Sequence, residues 1–593
     1  MWIGAKGLLV FNLAVIGAAV LWQHFGRRRL HTTLPESEYD YIIVGAGTAG
    51  CVLTRRLLDQ ADRDGGNAPS VLLLEAGHGE APWYASVPLA AVALQASDID
   101  WQFLTVPQKD ALHSYREQRM PWPRGKALGG SSNLYCLIHS RATPKDWQDW
   151  RERCKTCDFP DHLVDAIYSK LEFHPEQNRG APDGQIPVSR LSCSSSQLCS
   201  SFRDAAVQLG VYSHGTGDHD NLLLQNNIYN GKRWTSYDTY VKPVLTHPGL
   251  RIFTGVQVTK VLFDGVTAVG VEMATSEHQT HLVTARRDVI LSAGAIGSPH
   301  LLMLSGVGPK DELARLSIPV VSEVEWVGKN LQDQVAVPMY FNMRAPISIN
   351  EYKVKSVRQL WNYLWGEGLL ASSGVEAALR TEGPDRDSDA LFMLINIGSV
   401  NEDIFLKVSN QYREDFRASY PDTKNTSKEG FMMLVSCLHP KSAGHVTLST
   451  DRAADPPRID PRYFTHPHDL ECTVNAMKTA SRLASTAPFA KLGVSLHMPK
   501  YRHCTSYEPS MENTEYLQCW ARTAAMTIGH PMGTVAMGDL SDDSSVVDAE
   551  FRVKGTRNLR VVDASVIPSQ LSSTPHATVL LLAEKAAQII GRA

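Results

Sequence analysis

Two histidines near the C-terminus have the chemistry that proton transfer from a hydroxyl group requires. His530 lies between a short apolar run and a glycine turn, and His576 opens a final apolar helical stretch. A neutral imidazole accepts a proton, and a second imidazole can hold the resulting alkoxide by a hydrogen bond. Either histidine taken alone is more often structural, and sequence spacing does not show that the two converge. They are our candidate catalytic residues.

A glycine motif near the N-terminus is the second chemical feature. Gly45, Gly47 and Gly50 form the pattern G-x-G-x-x-G between the apolar run Ile42–Val44 and an amphipathic helical pattern. The first glycine permits a tight turn, the second lets backbone approach a pyrophosphate, and the third lets helix and strand pack closely. The helix N-terminus then offers free amides and partial positive charge to the phosphates. The motif predicts a dinucleotide site, with a βαβ unit that binds no dinucleotide as the alternative.

An acidic residue follows the motif at the end of a second apolar run. Residues 71–74 predict a buried strand, and Glu75 ends it. A carboxylate at this point can accept hydrogen bonds from both ribose hydroxyls of an adenosine. The same charge would repel a 2′-phosphate, which argues against an NADP-type ligand. This stretch alone does not separate FAD from NAD.

Further strands and glycine turns must bring these residues together. Apolar runs predict strands at 256–263, 270–272 and 288–291, and another ends at Asp563. We therefore predict an α/β fold with a discontinuous Rossmann-like domain for a dinucleotide and an α+β substrate domain. The predicted segments are 1–33 (membrane anchor and linker), 34–335 (first cofactor-binding part), 336–434 (part of the substrate domain) and 435–593 (completing both sites).

Composition excludes some classes of function. The chain has 593 residues, of which 58 are basic and 62 acidic, so its formal net charge is −4 and no basic surplus points to nucleic acid. Ten cysteines in a chain of this length do not indicate a disulfide scaffold. Cys154 and Cys157 form one C-x-x-C pair, which we interpret as two ordinary thiols. A redox pair and half of a metal site are the alternatives, and we predict no metal.

The N-terminal residues predict a membrane anchor. Residues 7–22 are almost wholly apolar, and Arg27, Arg28 and Arg29 follow. The length is near the lower limit for a spanning helix, and the excess of positive charge predicts that the catalytic side faces the cytosol. A mitochondrial presequence and a cleaved secretory signal are the alternatives. The sequon at Asn425 is relevant only outside the cytosol.

Together these motifs resemble the glucose-methanol-choline (GMC) oxidoreductases, which are FAD enzymes. The resemblance covers about residues 38–590. Residues 294–308 are similar to the family's second signature throughout, residues 125–134 resemble the first, and residues 328–333 also match. The resemblance implies non-covalent FAD, because no histidine stands at Leu134, near where covalently flavinylated relatives carry one. It implies cofactor contacts by Gly45, Gly47, Thr48, Ala49, Gly50, Glu75, Ala127, Ser131, Tyr135, Val258, Asp563, Ala564, Ala577 and Thr578.

The resemblance also implies roles for the two histidines. His530 takes the proton of an alcohol, His576 hydrogen-bonds the oxygen, and a hydride passes to flavin N5, which gives an aldehyde or ketone. The implied partners are a small-molecule alcohol and an electron acceptor, quinone or oxygen. Tyr135 and Cys136 replace the residues that the family usually places near the flavin, and Tyr135 can crowd the flavin's reactive edge.

Two alternatives stay open. One is a lyase or light-driven decarboxylase on the same fold, for which Cys437 is a candidate active-site thiol. The other is a flavin-binding protein with a blocked site, for which Tyr135 is the main support.

Overall fold

Two sheets organise the chain, and one of them contains the strand that ends in the glycine motif. The computed structural model describes residues 37–592 except 65–68, 158, 178–182, 213–220, 276–278 and 383–388. The strands of three or more residues are β1 Glu38–Val44, β2 Val71–Glu75, β3 Leu250–Thr254, β4 Val256–Asp264, β5 Thr267–Thr275, β6 Thr280–Leu291, β7 Val335–Asn342, β8 Val375–Thr381, β9 Ala390–Ile395, β10 Gly430–Cys437, β11 His445–Thr447, β12 Arg458–Asp460 and β13 Leu559–Val561.

Helices cover these sheets and connect them. The α-helices are α1 Thr48–Asp64, α2 Ala91–Leu94, α3 Pro144–Arg153, α4 Asp161–Leu171, α5 Gln197–Gln208, α6 Gly294–Leu304, α7 Lys310–Arg315, α8 Glu351–Val354, α9 Val357–Leu364, α10 Glu402–Ser409, α11 Arg413–Ser419, α12 Pro467–Ala484, α13 Ala487–Lys491, α14 Thr514–Ala524 and α15 Pro575–Ile590. Two-residue strands lie at Phe103–Leu104, Pro121–Trp122, Glu172–Phe173, Ile186–Pro187, Ser189–Arg190, Leu222–Leu223, Gln225–Asn226, Ile228–Tyr229, Lys232–Arg233, Val307–Gly308, Ser322–Glu323, Ser495–Leu496 and Met526–Thr527.

The first sheet has the order β3-β2-β1-β6-β5-β4, with β13 also paired to β6. Strands β3, β2, β1, β6 and β13 run parallel, whereas β4, β5 and β6 form an antiparallel ribbon. Residues 42–44 and 71–74 are buried on both faces, as expected for parallel strands covered on each side. Helices α1 and α15 pack against each other on this domain. The predicted α/β architecture is confirmed.

The register of the parallel strands brings their carboxyl ends to one edge. Val44 lies opposite both Leu74 and Leu291, and Leu291 lies opposite Val561. The residues that follow these strand positions therefore meet at that edge, although they come from four separate parts of the chain. In open α/β sheets this edge is where ligands bind.

The second sheet is antiparallel and is assembled from distant segments. Its order is 495–496, β7, β10, β9, β8 and 222–223, and Met526–Thr527 pairs with the start of β7. Helix α12 packs against β10. The pairing of 526–527 with β7 carries the loop of His530 to the beginning of that strand.

The cysteine prediction was wrong for the residues that the structure describes. Four disulfides join Cys154 to Cys157, Cys193 to Cys199, Cys437 to Cys472 and Cys504 to Cys519. Cys154 and Cys157 meet because the chain turns after α3, where the N–H of Cys157 donates to the carbonyl of Cys154. Disulfides form mainly in oxidising compartments and are rare in cytosolic proteins.

Residues 37–592, with the gaps given above, contain no helix that is long and apolar enough to cross a bilayer. The predicted membrane segment, residues 7–22, lies outside the described residues.

Candidate functional site

A continuous cavity of about 690 Å³ runs from the edge of the first sheet to the face of the second. Gly45, Glu75 and Asp563 line one end, and His530 and Met393 line the other. Volumes of this size are typical of sites for cofactors and small ligands. Both chemical features of the sequence therefore open into one space.

The glycine motif forms a cradle with room beside its second glycine. Gly45 has a φ of +102°, and a Cβ there would lie 2.5 Å from the carbonyl oxygen of Ser292. A Cβ on Gly50 would lie 2.0 Å from the carbonyl oxygen of Gly45, which explains the close packing of helix and strand. At Gly47 the nearest atom would be 3.9 Å away, so the space beside it is open. Gly47 lines the cavity together with Thr48 and Ala49, the first residues of α1. Open space against a helix N-terminus fits a pyrophosphate.

Glu75 is buried at the edge of the cavity. Its two carboxylate oxygens accept hydrogen bonds from the N–H groups of Ala46, at 3.0 Å, and Gly77, at 2.8 Å. Burial raises the pKa of this carboxyl to about 7. Its remaining lone pairs suit ribose hydroxyls, and Val258 of β4 lines the same end of the cavity.

Asp563 joins the predicted second signature to the first sheet. One carboxylate oxygen accepts from the N–H of Gly294, at 2.9 Å, and from the hydroxyl of Ser298, at 2.6 Å. The other accepts from the N–H of Ser565, at 2.8 Å. Asp563 and Ala564 line the cavity, so this carboxylate fixes the N-terminus of α6 at the cavity wall.

The first signature folds over the glycine motif. The N–H of Gly129 donates to the carbonyl of Ala46 at 2.8 Å, and a Cβ on Gly130 would lie 2.6 Å from the Cα of Gly47. Ser131 lines the cavity, and its hydroxyl accepts from the N–H of Gly125 at 3.1 Å. Ala127 was predicted near the flavin ring. Its side chain is buried in the small apolar cluster of Ala85, Leu94, Ile99 and Leu134 rather than on the cavity wall.

His530 is held with its Nδ1 turned away from the cavity centre, towards Gln334. The side-chain nitrogen of Gln334 donates to the carbonyls of Leu438, at 2.7 Å, and Leu571, at 2.9 Å. Its side-chain oxygen therefore faces Nδ1 of His530, at 2.7 Å, and can only accept. Nδ1 carries the proton, and Nε2 is left as the atom that can accept one. Burial, with a smaller effect of Arg124, lowers the pKa of His530 to about 3, so the ring is neutral near pH 7.

Asp333 fixes the loop that carries His530. Its carboxylate accepts from the backbone N–H of His530 at 3.0 Å, from the hydroxyl of Thr527 at 2.7 Å and from that of Tyr463 at 2.5 Å. Burial raises the pKa of Asp333 to about 6. Arg124 donates to the carbonyl of Gly529 at 3.2 Å and lines the cavity.

Sequence reasoning missed Gln334, Asp333 and Arg124 as functional residues. Residue 333 ends one matched motif and residue 124 precedes another, but only the strand pairing at 526–527 shows what they hold.

His576 lies at the first turn of α15, near the end of the cavity that Gly45, Glu75 and Asp563 line, which we call the cofactor end. Its Nε2 is 3.4 Å from the hydroxyl of Ser236, which donates to the hydroxyl of Thr48. Its ring lies 5.0 Å from that of Tyr135, whose hydroxyl donates to the side chain of Asn227 at 2.6 Å. Burial lowers the pKa of His576 to about 3. Both histidines line the cavity, but their hydrogen-bond partners belong to different regions.

The N-terminus of α15 meets the cavity through residues 574–576 and Val579. Ala577 and Thr578 are fully buried in the same turn and are not on the wall. Cys136, beside Tyr135, also lines the cavity, and burial raises the pKa of its thiol.

Comparison with known proteins shows the family. Residues 39–336 match the N-terminal domain of the GMC oxidoreductases, and residues 440–583 match the C-terminal domain. The alcohol dehydrogenase [acceptor] of Pseudomonas putida is 32% identical over 93% of this chain and 96% of its own length. The mitochondrial choline dehydrogenase of Homo sapiens is 32% identical over 100% of this chain and 96% of its own. The glucose dehydrogenase [FAD, quinone] of Drosophila melanogaster is 30% identical over 94% of this chain and 88% of its own.

A solved structure shows the same architecture. The crystal structure of pyridoxine 4-oxidase from Mesorbium loti superposes with a TM-score of 0.75 and 25% identity, over 93% of this chain and 98% of that one. The fold, the family domains and the full-length relatives agree, so this chain is an oxidoreductase of the GMC family.

Proposed function

We propose that this protein is an FAD-dependent dehydrogenase of apolar alcohols, which it oxidises to aldehydes or ketones. The observation that carries the proposal is the neutral His530, whose Nδ1 is committed to Gln334 while Nε2 remains a proton acceptor. A base of this kind can take the hydroxyl proton of an alcohol bound in the cavity.

Each residue at the site has a task in this proposal. Gln334 sets the tautomer of His530, and Asp333 holds its backbone, so Nε2 stays in place while it receives the proton. His576 hydrogen-bonds the alcohol oxygen, which requires its Nε2 to exchange the hydroxyl of Ser236 for substrate. The apolar walls exclude water and orient the carbon that loses hydride.

The residues of the cradle fit the cofactor that the family uses. FAD, when bound, supplies the acceptor for hydride at flavin N5. Gly47 and the N-terminus of α1 would hold its phosphates, Glu75 its ribose, and Asp563 with Ala564 the region between phosphate and ring. Ala577 and Thr578 would act through the N-terminal dipole of α15. We propose non-covalent binding, because Leu134 cannot form the histidyl link.

The substrate class follows from the walls near the second sheet. They are mostly apolar and aromatic side chains, Ile138, Met393, Ile395, Phe405, Met432 and Leu434, with the hydroxyl groups of Ser373 and Ser409 among them. The described residues that line the cavity include no carboxylate besides Glu75 and Asp563, which both belong to the cofactor end. A sugar would leave its hydroxyls unpaired against such walls, and choline would find no counter-charge there. An alcohol with an aliphatic or aromatic chain fits them better.

Reduction of the bound flavin tests the proposal. The protein is mixed anaerobically with a series of primary alcohols of increasing chain length, and flavin bleaching is followed. Each added methylene should raise kcat/KM by about fourfold until the pocket is full, since burying one is worth about 0.8 kcal/mol. Choline and glucose should react poorly. H530A should slow bleaching by about 10²–10⁴-fold while FAD stays bound. Unimpaired bleaching in H530A would refute the role of His530.

The alternatives are separated by the same experiment. Decarboxylation only under light would indicate the decarboxylase, and neither reaction would indicate a blocked site. The thiol candidate for the decarboxylase, Cys437, is bonded to Cys472, which does not favour that alternative.

We propose a quinone as the electron acceptor, supported by the name of the Drosophila relative. The reduced protein should be reoxidised faster by a soluble quinone than by air-saturated buffer. Faster reoxidation by oxygen would reverse this assignment.

We propose that residues 7–22 anchor the chain to a membrane whose oxidising side carries the catalytic domain. The four disulfides support that side, and Asn425 of the sequon is exposed. Carbonate washing should leave the full-length protein on membranes. Treatment with N-glycosidase should increase its gel mobility, and N425Q should abolish that shift. Release by carbonate would refute the anchor, and an absent shift would refute a secretory location.

A further inference from the structure

Helix α9 turns its apolar side to solvent. The exposed fractions are 66% for Val357, 49% for Leu360, 61% for Trp361, 70% for Leu364 and 71% for Trp365. Positions separated by three and four residues share one face of a helix, so these five side chains form a single surface. We call it the α9 apolar face.

The opposite side of α9 is polar and faces the protein. The side-chain oxygen of Gln359 accepts from the N–H of Leu369 at 2.8 Å. A Cβ on Gly368 would lie 2.7 Å from the Gln359 side chain and 2.9 Å from that of Asn362. A surface helix in water normally has the reverse arrangement, with the apolar stripe inward. Contiguous apolar surface of this kind marks a site of contact with a membrane, another protein or an apolar ligand.

The α9 apolar face lies close to the cavity. Helix α9 packs on the short turn Leu369–Ala371, which packs on the turn Pro88–Ala90. Leu89 of that second turn lines the cavity, as do Val92 and Phe405. Only two turns of chain therefore separate the exposed face from an apolar part of the cavity wall.

We propose that the α9 apolar face inserts into the surface of a lipid bilayer. Two tryptophans that each follow a leucine are typical of interfacial helices, and the exposed side chains of Lys355 and Arg358 lie beside the face, where phosphate headgroups would be. The chain also carries the apolar residues 7–22 outside the described part. The connecting residues 23–37 can span at most about 50 Å, which limits how far residues 7–22 can lie from the described part.

The consequence concerns access to the site. A lipid-soluble alcohol or acceptor could pass between the bilayer and the cavity beside α9 without crossing water. This consequence rests on the proposed function, whereas insertion of the face does not, and insertion is measured without turnover.

The test uses full-length protein in phosphatidylcholine vesicles whose acyl chains are either brominated or unbrominated. Bromine quenches tryptophan fluorescence only at short range. The wild-type chain is compared with W361F/W365F, which lacks the reporters, and with L360S/L364S, which keeps them on a less apolar face. L282S/L540S is the matched control, since both of its leucines are 62% exposed elsewhere on the surface.

Wild type and L282S/L540S should show the same quenched fraction. W361F/W365F and L360S/L364S should lose most of the quenching above that of Trp2 and Trp22, which all four proteins share. An equal quenched fraction in wild type and W361F/W365F would refute insertion. Insertion would also be refuted if the wild-type protein were a dimer in detergent and L360S/L364S were a monomer with unchanged quenching. The α9 apolar face would then join two copies of the chain. Equal flavin content and equal melting midpoints establish that the variants are folded.

Discussion

The two ends of the cavity are built in different ways. At the cofactor end, the cavity wall is formed mainly by backbone, at Gly45, Gly47 and the N-termini of α1 and α6, along the edge of a parallel sheet. At the other end, which His530 lines and which we call the substrate end, the wall is formed mainly by side chains. His530 is held by Gln334 and Asp333, and the walls come from the antiparallel sheet.

The difference separates what is shared from what can vary. A backbone cradle recognises phosphate groups, which all dinucleotides have, and it tolerates few changes because a Cβ would collide. A wall of methionine, leucine and phenylalanine can change its shape by substitution without disturbing the sheet behind it. Relatives that act on alcohols, sugars or choline can therefore keep one end and alter the other.

A large side chain in the cradle of the glycine motif should produce the largest effect, which is a loss of FAD binding. In G47L the side chain would occupy the open space beside Gly47, so the phosphates would lose their backbone contacts. At about 1.5–3 kcal/mol for each hydrogen bond to a charged group, losing two weakens FAD binding by at least about 100-fold. The flavin absorbance that stays with the protein after gel filtration measures the loss of FAD.

The matched variant is G47A, whose Cβ would have no neighbour closer than 3.9 Å. It should retain more FAD than G47L, and both cofactor-free proteins should melt like cofactor-free wild type. Full flavin content in G47L would show that the phosphates lie elsewhere.

Removing the disulfide between Cys437 and Cys472 should destabilise the substrate end. It joins β10 to α12 across 35 residues, and closing a loop of that length is worth about 4 kcal/mol in the chain-entropy model. C437S/C472S should destabilise the second sheet, which faster amide hydrogen exchange in β7 and β10 would show. Exchange in β1 and β2 should change little. The control C154S/C157S removes a disulfide between residues that are only three apart. It should lower the free energy of unfolding by about half as much. An equal loss of protection from exchange in the two sheets would mean that the two ends of the cavity unfold as one unit.

The same difference explains what the sequence could predict. The strand, turn and helix around Gly45 are local, so residues 42–50 were sufficient to predict these elements, and residues 71–75 the strand that ends at Glu75. Asp563 was predicted from the resemblance, and its bonds to Gly294 and Ser298 required the register of β6 and β13. Gln334 and His530 are 196 residues apart, and nothing local in either segment indicates that they meet. The pairing of Cys437 with Cys472 is equally non-local. Ala127 is close to a predicted motif, yet its side chain points into a separate cluster.

Replacing Gln334 should have a smaller effect, confined to catalysis. Q334M keeps the side-chain volume but removes the acceptor that commits Nδ1 of His530 as a donor. The ring then populates the wrong tautomer, and the imidazolium that forms when His530 takes the proton loses a hydrogen bond. A hydrogen bond to a charged group is worth about 1.5–3 kcal/mol, so we expect flavin reduction by alcohol to slow about 10–100-fold. FAD affinity should not change, because Gln334 belongs to the substrate end. A parallel loss of FAD would contradict the division between the two ends. Stopped-flow reduction and flavin titration give the two quantities separately.

The smallest effect should be on the pH dependence of stability, and here the two ends should behave alike. His530 and His576 both have a pKa of about 3 in the folded protein, against an ordinary value of 6.5. Below pH 6.5 the unfolded chain binds protons at these positions while the folded chain does not, so stability falls as the pH falls towards 3. Between pH 7 and pH 5 each histidine should remove about 2 kcal/mol from the free energy of unfolding. Urea midpoints at the two pH values should differ less in H530N and in H576N than in wild type, and by similar amounts, whereas H162N, which changes an exposed histidine on α4, should behave like wild type. If only H530N flattened the dependence, His576 would bind its proton equally well in the folded and the unfolded protein, and its pKa would not be lowered at the cofactor end.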